Sequence, residues 1–288
     1  MSARATTEPY IPRVETSVIA GKVVKYVLLL AVSALFFVPF IWSITTSFKT
    51  IPDSVNVNLI PHPWTTSAWH DIWANYDFKT YIENSLFLAV VITALNIVLA
   101  GLGGYAFARL RFPGRNLLFL VVLLTLMVPD QLRLIPVFVM LTNWHLIATF
   151  KGYIFISMIT ATNLFFMRQY FLTIPTDYEE AAKLDGAGYF KTFWRVMLPL
   201  AVPAIAALTI LQFQGTWNDF FWPLIIFGQG SPKLYTVQLG LALLRFNYST
   251  LWPQILAGSL IAITPIFIIF VFFQRYFISG LTTAGVKG

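Results

Sequence analysis

Six stretches of this chain are apolar over a length that only a lipid bilayer requires. They cover about residues 23–47, 81–108, 117–140, 153–171, 200–227 and 253–277. A bilayer core about 30 Å thick is crossed by about 20 helical residues, and each stretch reaches that length. Amides and carbonyls placed in hydrocarbon must pair within their own segment, so these stretches are expected to be helices. Several contain Pro or Gly, which spans tolerate where neighbouring helices satisfy the freed backbone groups. The expected fold class is therefore all-α, a polytopic transmembrane helical bundle of six spans. Composition agrees: 58% of the residues are hydrophobic and 11% charged, against about 25% charged in a soluble domain. A soluble fold could not cover that much apolar surface.

The net charge of +7 would suggest nucleic acid in a soluble basic protein. Here the charges fall between the apolar stretches, and the positive-inside bias accounts for them, so no nucleic-acid partner is expected. With the N-terminus placed in the cytoplasm, thirteen of the nineteen Lys and Arg residues fall on the inner side. Both termini are then cytoplasmic. Residues 1–22 form an N-terminal tail, 23–277 the transmembrane domain and 278–288 a C-terminal tail. The first apolar run is too long for a signal-peptide core and lacks a small-residue cleavage site, so it reads as a retained span. The segment from Phe48 to Thr80 becomes external and holds Trp64, Trp69, Trp73 and Tyr76. These suit either an interfacial aromatic belt or a docking surface for an external partner. The chain has no cysteine. His62, His70 and His145 lack ligand spacing, so no metal site is expected.

Residues 175–199 are the longest charged, amphipathic passage between two spans. Thr176 with Glu179 fits a capping box, in which the hydroxyl caps the Glu179 amide and the carboxylate reaches back. Gly186 is placed to end that helix in a left-handed turn. A second short helix from Tyr189 to Met197 carries Phe190, Phe193, Trp194 and Val196 at helical spacing, and Leu198-Pro199 is expected to stop it. Glu180 is free to meet a basic group, and Ala181 and Ala182 allow close approach. On spacing alone the segment suits either a docking handle for a partner or a helix lying on the membrane.

An uncharged polyol needs amide and hydroxyl partners and flat apolar faces. Gln212, Gln214, Trp217 and Asn218 on the fifth stretch supply them, the last three sharing a face. Asn163 and Gln131 are further lining candidates. The alternative role for such groups is interhelical hydrogen bonding. Ala100-x-x-x-Gly104, beside Asn96, is a small-residue packing pattern. Asp219 lies within a span and needs a reason: a hydrogen-bonded kink beside Asn218 and Pro223, or proton coupling. No G-x-x-x-x-G-K-[ST] loop occurs, so ATP is not expected to bind this chain. No nucleophile, metal or paired-carboxylate motif marks it as an enzyme, and no catalytic residue is assigned. A proton-coupled secondary transporter is the rival from another class.

Glu180-Ala181-Ala182, then Asp185-Gly186-Ala187, then Leu198-Pro199, resembles the EAA loop of bacterial ABC importer permeases, in order, spacing and place between the fourth and fifth spans. Trp217 to Pro223, Gln274-Arg275-Tyr276-Phe277, Gly280-Leu281 and the final Gly285 to Gly288 resemble the carbohydrate-type branch, closest to the shorter six-span partner of a maltose-type pair. The resemblance implies a MetI-like, type I importer architecture in the bacterial plasma (inner) membrane, for a carbohydrate or, alternatively, glycerol-phosphate or another polyol. It implies that Glu180, Ala181, Ala182, Asp185 and Gly186 contact an ATPase subunit that binds ATP and Mg, while this chain carries no cofactor. The implied partners are a second permease subunit, two ATP-binding subunits and an extracytoplasmic substrate-binding protein.

Overall fold

The structure, a computed structural model, describes residues 16–246 and 251–285, with side chains described over 21–244 and 251–272. Most of the N-terminal tail, the last three residues and the side chains of the Gln274–Phe277 motif lie outside the described residues. The chain is helical throughout: α1 (Thr16–Thr46), α2 (Ser67–Ala74), α3 (Phe78–Arg109), α4 (Arg115–Thr125), α5 (Asp130–Asn143), α6 (Phe150–Ser157) and α7 (Ala161–Thr173). There follow α8 (Asp177–Leu184), α9 (Tyr189–Thr192), a π-helical turn (Phe193–Met197) leading into α10 (Leu198–Leu200), and α11 (Val202–Asn218). The chain continues with α12 (Phe221–Phe227), α13 (Val237–Phe246) and α14 (Trp252–Gly285). No strand occurs among the described residues.

Three helices are long and apolar enough to cross a membrane by themselves: Gly21–Thr46, Phe78–Arg109 and Trp252–Phe272. The number rises to six if three bent pairs each count once. The pair α4–α5 is bent by 101°, α6–α7 by 40°, and Tyr189–Leu200 with α11 by 77°. Each break has a local cause. Pro129 sits at the N-cap of α5 with an extended backbone, φ −59° and ψ 144°, so the helix cannot run through it. Thr160 is extended and caps α7, its hydroxyl accepting from the Asn163 amide at 3.3 Å. Pro203 begins α11 just after Ala201, where helices accept proline. The helix expected to stop at Leu198-Pro199 instead continues to Leu200. Pro199 cannot donate to a carbonyl one turn back, and the ladder widens into the π turn immediately before it, with Leu198 N–H bonding Phe193 O.

Helix α3 is the spine, packed between α7 and α11. Its Ala100–Gly104 face lets α7 come close: a Cβ on Gly104 would lie 2.6 Å from Met167 Cβ and 2.8 Å from the Arg168 amide nitrogen. The buried core divides in two along this spine. One cluster surrounds Phe78, Leu88, Phe213, Trp217 and Phe227. The other, at the opposite end, surrounds Tyr105, Phe171, Phe193 and Met197. Helix α1 packs chiefly on α14, and its apolar length is otherwise uncovered.

At the first end, Asn84 donates to the carbonyls of Lys233 and Tyr235 at 2.8 and 3.0 Å. Ser85 accepts from the Val237 amide at 2.8 Å. Two of the four aromatics expected on the outer side are tied into the fold. Trp69 stacks on Phe48 and donates to Ser47, and Tyr76 packs on the core; Trp64 and Trp73 stay exposed. Lys49 is fully buried, its ammonium donating to the Asn56 and Asn58 carbonyls. The Asp53 carboxylate accepts from the His62 amide and from Asn56, which holds it below the usual carboxylate range.

Replacing Gly104 with Val forces α3 away from α7. Overpacking of this kind costs about 1–3 kcal/mol. We expect a lower thermal midpoint in detergent and a smaller monodisperse fraction on gel filtration. Gly215→Ala, where an added Cβ meets nothing within 4 Å, should behave as wild type on both measures.

Candidate functional site

Two features stand out, one within the bundle and one at its end. The first is a cavity of about 660 Å3. It is bounded by the break between α4 and α5, the break between α6 and α7, and the Asp219–Phe220 break between α11 and α12. Three interruptions from distant parts of the chain therefore meet at one place. Unpaired backbone at membrane depth is tolerated only where protein or water satisfies it, so such a meeting point suits a wet chamber. Hydroxyls dominate its polar lining: Thr125, Ser157, Thr160, Thr162 and Thr216, with the Tyr153 and Trp222 rings.

Asp219 accepts from the Tyr153 hydroxyl at 2.8 Å and, more loosely, from the Trp222 amide at 3.4 Å, near the start of α12. This is a hydrogen-bonded kink, the simpler of the two roles expected for it. Arg133 lines the cavity too, and its guanidinium is paired with Asp130.

The predicted lining residues separate. Gln212 lines the cavity; its side-chain oxygen accepts from Asn163 at 2.7 Å, and its nitrogen donates to Thr216 at 3.2 Å. Asn163 also donates to Asn96 at 2.7 Å, so a chain of amides runs from α3 through α7 to the cavity wall. Asn96 is thus more than a packing residue. Trp217 is a correction. It is 1% exposed, stacks on Phe213 and donates to the Ala262 carbonyl at 3.1 Å, so it is core rather than lining. Gln214 and Asn218 are exposed outside the cavity, with Asn218 accepting from Gln238 at 3.3 Å. Gln131 is exposed and does not line it. Sequence reasoning missed Tyr153, Thr160 and Thr216. The Ser157–Thr162 run, with hydroxyls at 157, 160 and 162 inside an apolar stretch, was the available signal.

The second feature is the hairpin of α8 and α9–α10 at the far end. Gly186 takes φ +74°, in the left-handed region. The Ala187 amide donates to the Ala182 carbonyl at 2.9 Å and the Gly186 amide to Lys183 at 3.0 Å. This is the double-bonded glycine cap that satisfies the last carbonyls of a helix. Glu180, Ala181, Asp185 and Gly186 are exposed. Leu184 is 90% exposed, and Tyr178, Tyr189 and Phe190 are largely bare.

Two expectations fail here. The Thr176–Glu179 capping box does not form: Thr176 makes no side-chain cap, and Glu179 turns inward to Arg109, its Oε2 lying 3.7 Å from Nε. Ala182 is buried against its own bundle and offers no surface to a partner. Phe193 and Met197 fix the second arm, packing with Tyr105 and Phe171.

Residues 97–283 match the family described as binding-protein-dependent transport system inner membrane component. The chain belongs to this family. It is a multi-pass membrane protein and a permease component of ABC transport. It is 40% identical over 211 residues to an arabinooligosaccharide transport system permease of Halalkalibacterium halodurans, covering 73% of this chain and 75% of the relative. It is 33% identical over 225 residues to an sn-glycerol-3-phosphate transport system permease of Yersinia pestis, covering 77% and 80%. Among solved structures, it superposes with TM-score 0.77 at 25% identity on a chain of a bacterial ABC transporter involved in import of the acidic polysaccharide alginate, covering 94% of this chain and 100% of that one. Within the permease family frame, the hairpin is the passage singled out by its EAA-like spacing, and the cavity is the chamber at which three interrupted helices meet.

Because the sequence lacks cysteine, single cysteines can map the chamber. Ser157→Cys, Thr160→Cys and Thr216→Cys should react with a small membrane-impermeant maleimide. Phe213→Cys, in the packed core, should not. Equal labelling of all four would show that the cavity is not a distinct wet space.

Proposed function

We propose that this chain is the permease subunit of an ATP-driven importer and forms half of the pathway for an uncharged carbohydrate, with the bacterial inner membrane as its site. The observation that carries the reading is the meeting of three helix breaks around a hydroxyl-lined chamber in a chain of this family. Hydroxyls and amides there match a sugar's own donors and acceptors, and the Trp222 ring offers an apolar face. The relatives' names point to sugars and a sugar-like phosphate ester. Arg133, the basic residue in the chamber wall, is paired with Asp130. Among the described wall residues Arg133 is the one cation, and its pairing with Asp130 favours a neutral solute over a phosphorylated polyol.

In this reading the α8–α10 hairpin faces the cytoplasm and both termini lie inside. Glu180, Ala181, Asp185 and Gly186 meet an ATP-binding subunit, and exposed Leu184, Tyr189 and Phe190 give it apolar area. Ala182 supports that face from beneath. ATP and Mg are held by the partner, and this chain performs no covalent chemistry. A second permease covers part of the bare apolar surface of the bundle and lipid the rest. Two ATP-binding subunits sit below, and an extracytoplasmic binding protein delivers solute. Closure of the ATP-binding pair drags the hairpin as a rigid body and reopens the chamber to the opposite side.

Gly186 provides the test. A left-handed backbone costs an L side chain about 1–2 kcal/mol, and an added Cβ there meets nothing within 4 Å. Gly186→Val should therefore disturb the turn alone. The variant should insert normally while ATP-dependent uptake in proteoliposomes falls about tenfold, the factor that about 1.4 kcal/mol represents. Gly186→Asn, which tolerates this conformation, should recover most of it. Undiminished uptake by the Val variant, or uptake abolished by a protonophore at constant ATP, would rule the reading out.

A further inference from the structure

Glu179 and Arg109 form a buried ion pair that neither the chamber nor the exposed docking face uses. Their side chains are 11% and 9% exposed, and 70 residues of chain separate them. Removing two charges from water is costly, and such a pair is seldom retained for stability alone. Its geometry joins three elements. Arg109 ends the spine α3. Its Nη2 donates to the carbonyls of Phe171, at 2.7 Å, and of Ile174, in and just after the last turn of α7. Its Nε faces Glu179 on α8. One guanidinium therefore holds the handle, the spine and the end of α7, which lines the chamber at its other end through Ala161 and Thr162.

The pair is incompletely bonded. Nε and Oε2 are 3.7 Å apart, and among the described residues Arg109 Nε and Glu179 Oε1 meet no hydrogen-bond partner. Two buried charged groups with spare bonding capacity can tighten or reorient when α8 moves, without unfolding either helix. The neighbouring ring contacts between Phe193, Tyr105 and Phe171 are apolar, and the Tyr105 hydroxyl stands beside Glu179 as a second polar neighbour.

We propose that Arg109 and Glu179 are positioning residues that transmit displacement of the hairpin into α3 and α7 and so into the chamber. This rests on the coupling role given to the hairpin above. The pair does not contact the ATP-binding subunit; its function is transmission rather than docking.

The test reads the chamber without needing the solute. The assembled transporter is purified through a tag on this chain carrying Thr216→Cys. Maleimide labelling of that cysteine is timed in proteoliposomes with and without ATP plus vanadate. In the parent, trapping should change the labelling rate roughly fivefold, the low end of typical coupling between sites. Glu179→Gln keeps the shape and removes the charge. It should retain the ATP-binding subunits and ATP hydrolysis yet lose the labelling change, and Glu179→Asp should restore part of it. A residue that only stabilises the fold would lower hydrolysis and labelling together, in proportion to assembled complex.

Should Glu179→Gln fail to assemble, Arg109→Lys serves, since a single ammonium cannot reach both carbonyls and the carboxylate. A labelling change that survives in the assembled variants overturns the proposal while leaving the coupling role intact. If the parent shows no response to trapping, or brings down no ATP-binding subunit, the coupling role itself falls.

Discussion

Every feature of this fold answers to one constraint: a backbone amide or carbonyl that reaches hydrocarbon must already have a partner. Where a helix runs unbroken and free of proline, as in α3, the constraint is met within the segment. Where the chain interrupts a helix, the exposed groups must be gathered somewhere. The structure gathers three interruptions at one chamber, so that a single cavity borders all of them. It treats the end of α7 differently, giving its terminal carbonyls to the Arg109 side chain. At Pro199 it widens the helix by one residue instead of breaking it. The chamber, the clamp and the π turn are three solutions to one problem.

The contrast between the halves of the core follows. Around Phe213 and Trp217, side chains interlock and the Trp217 indole is tied to the Ala262 carbonyl, so that half is pinned by a polar bond inside an apolar cluster. Around Tyr105, Phe171 and Phe193, the contacts are ring against ring at varied angles, beside a single underbonded ion pair. The half around Trp217 lies beside the chamber, and the half around Phe193 lies where the hairpin joins.

Helix positions were legible because apolar runs of span length have no other stable use, and the family assignment was legible in the EAA-like spacing. The Gly186 turn was legible for a local reason: only glycine takes that conformation without penalty. The failures share a different cause. Thr176 and Glu179 satisfy a local rule, but Arg109, far away in sequence, competes for the carboxylate and wins because a buried guanidinium cannot go unpaired. Trp217 sits three residues from Gln214 and one from Asn218, yet only the location of α14 decides that its ring is covered. The meeting of the breaks was hidden because Pro129, Thr160 and Asp219 each look like an isolated polar or proline position until the helices are packed.

Among the described residues, helix α1 gains almost nothing from the rest of the chain except a seam along α14, which is made long after it. It must therefore survive in lipid as a lone hydrophobic rod during translation of more than two hundred residues. Its all-round apolarity suits that wait, and the seam can close only once α14 has been made. Truncation before α14 would leave the first segment inserted but unmoored, which makes the order of emergence part of how this protein is built.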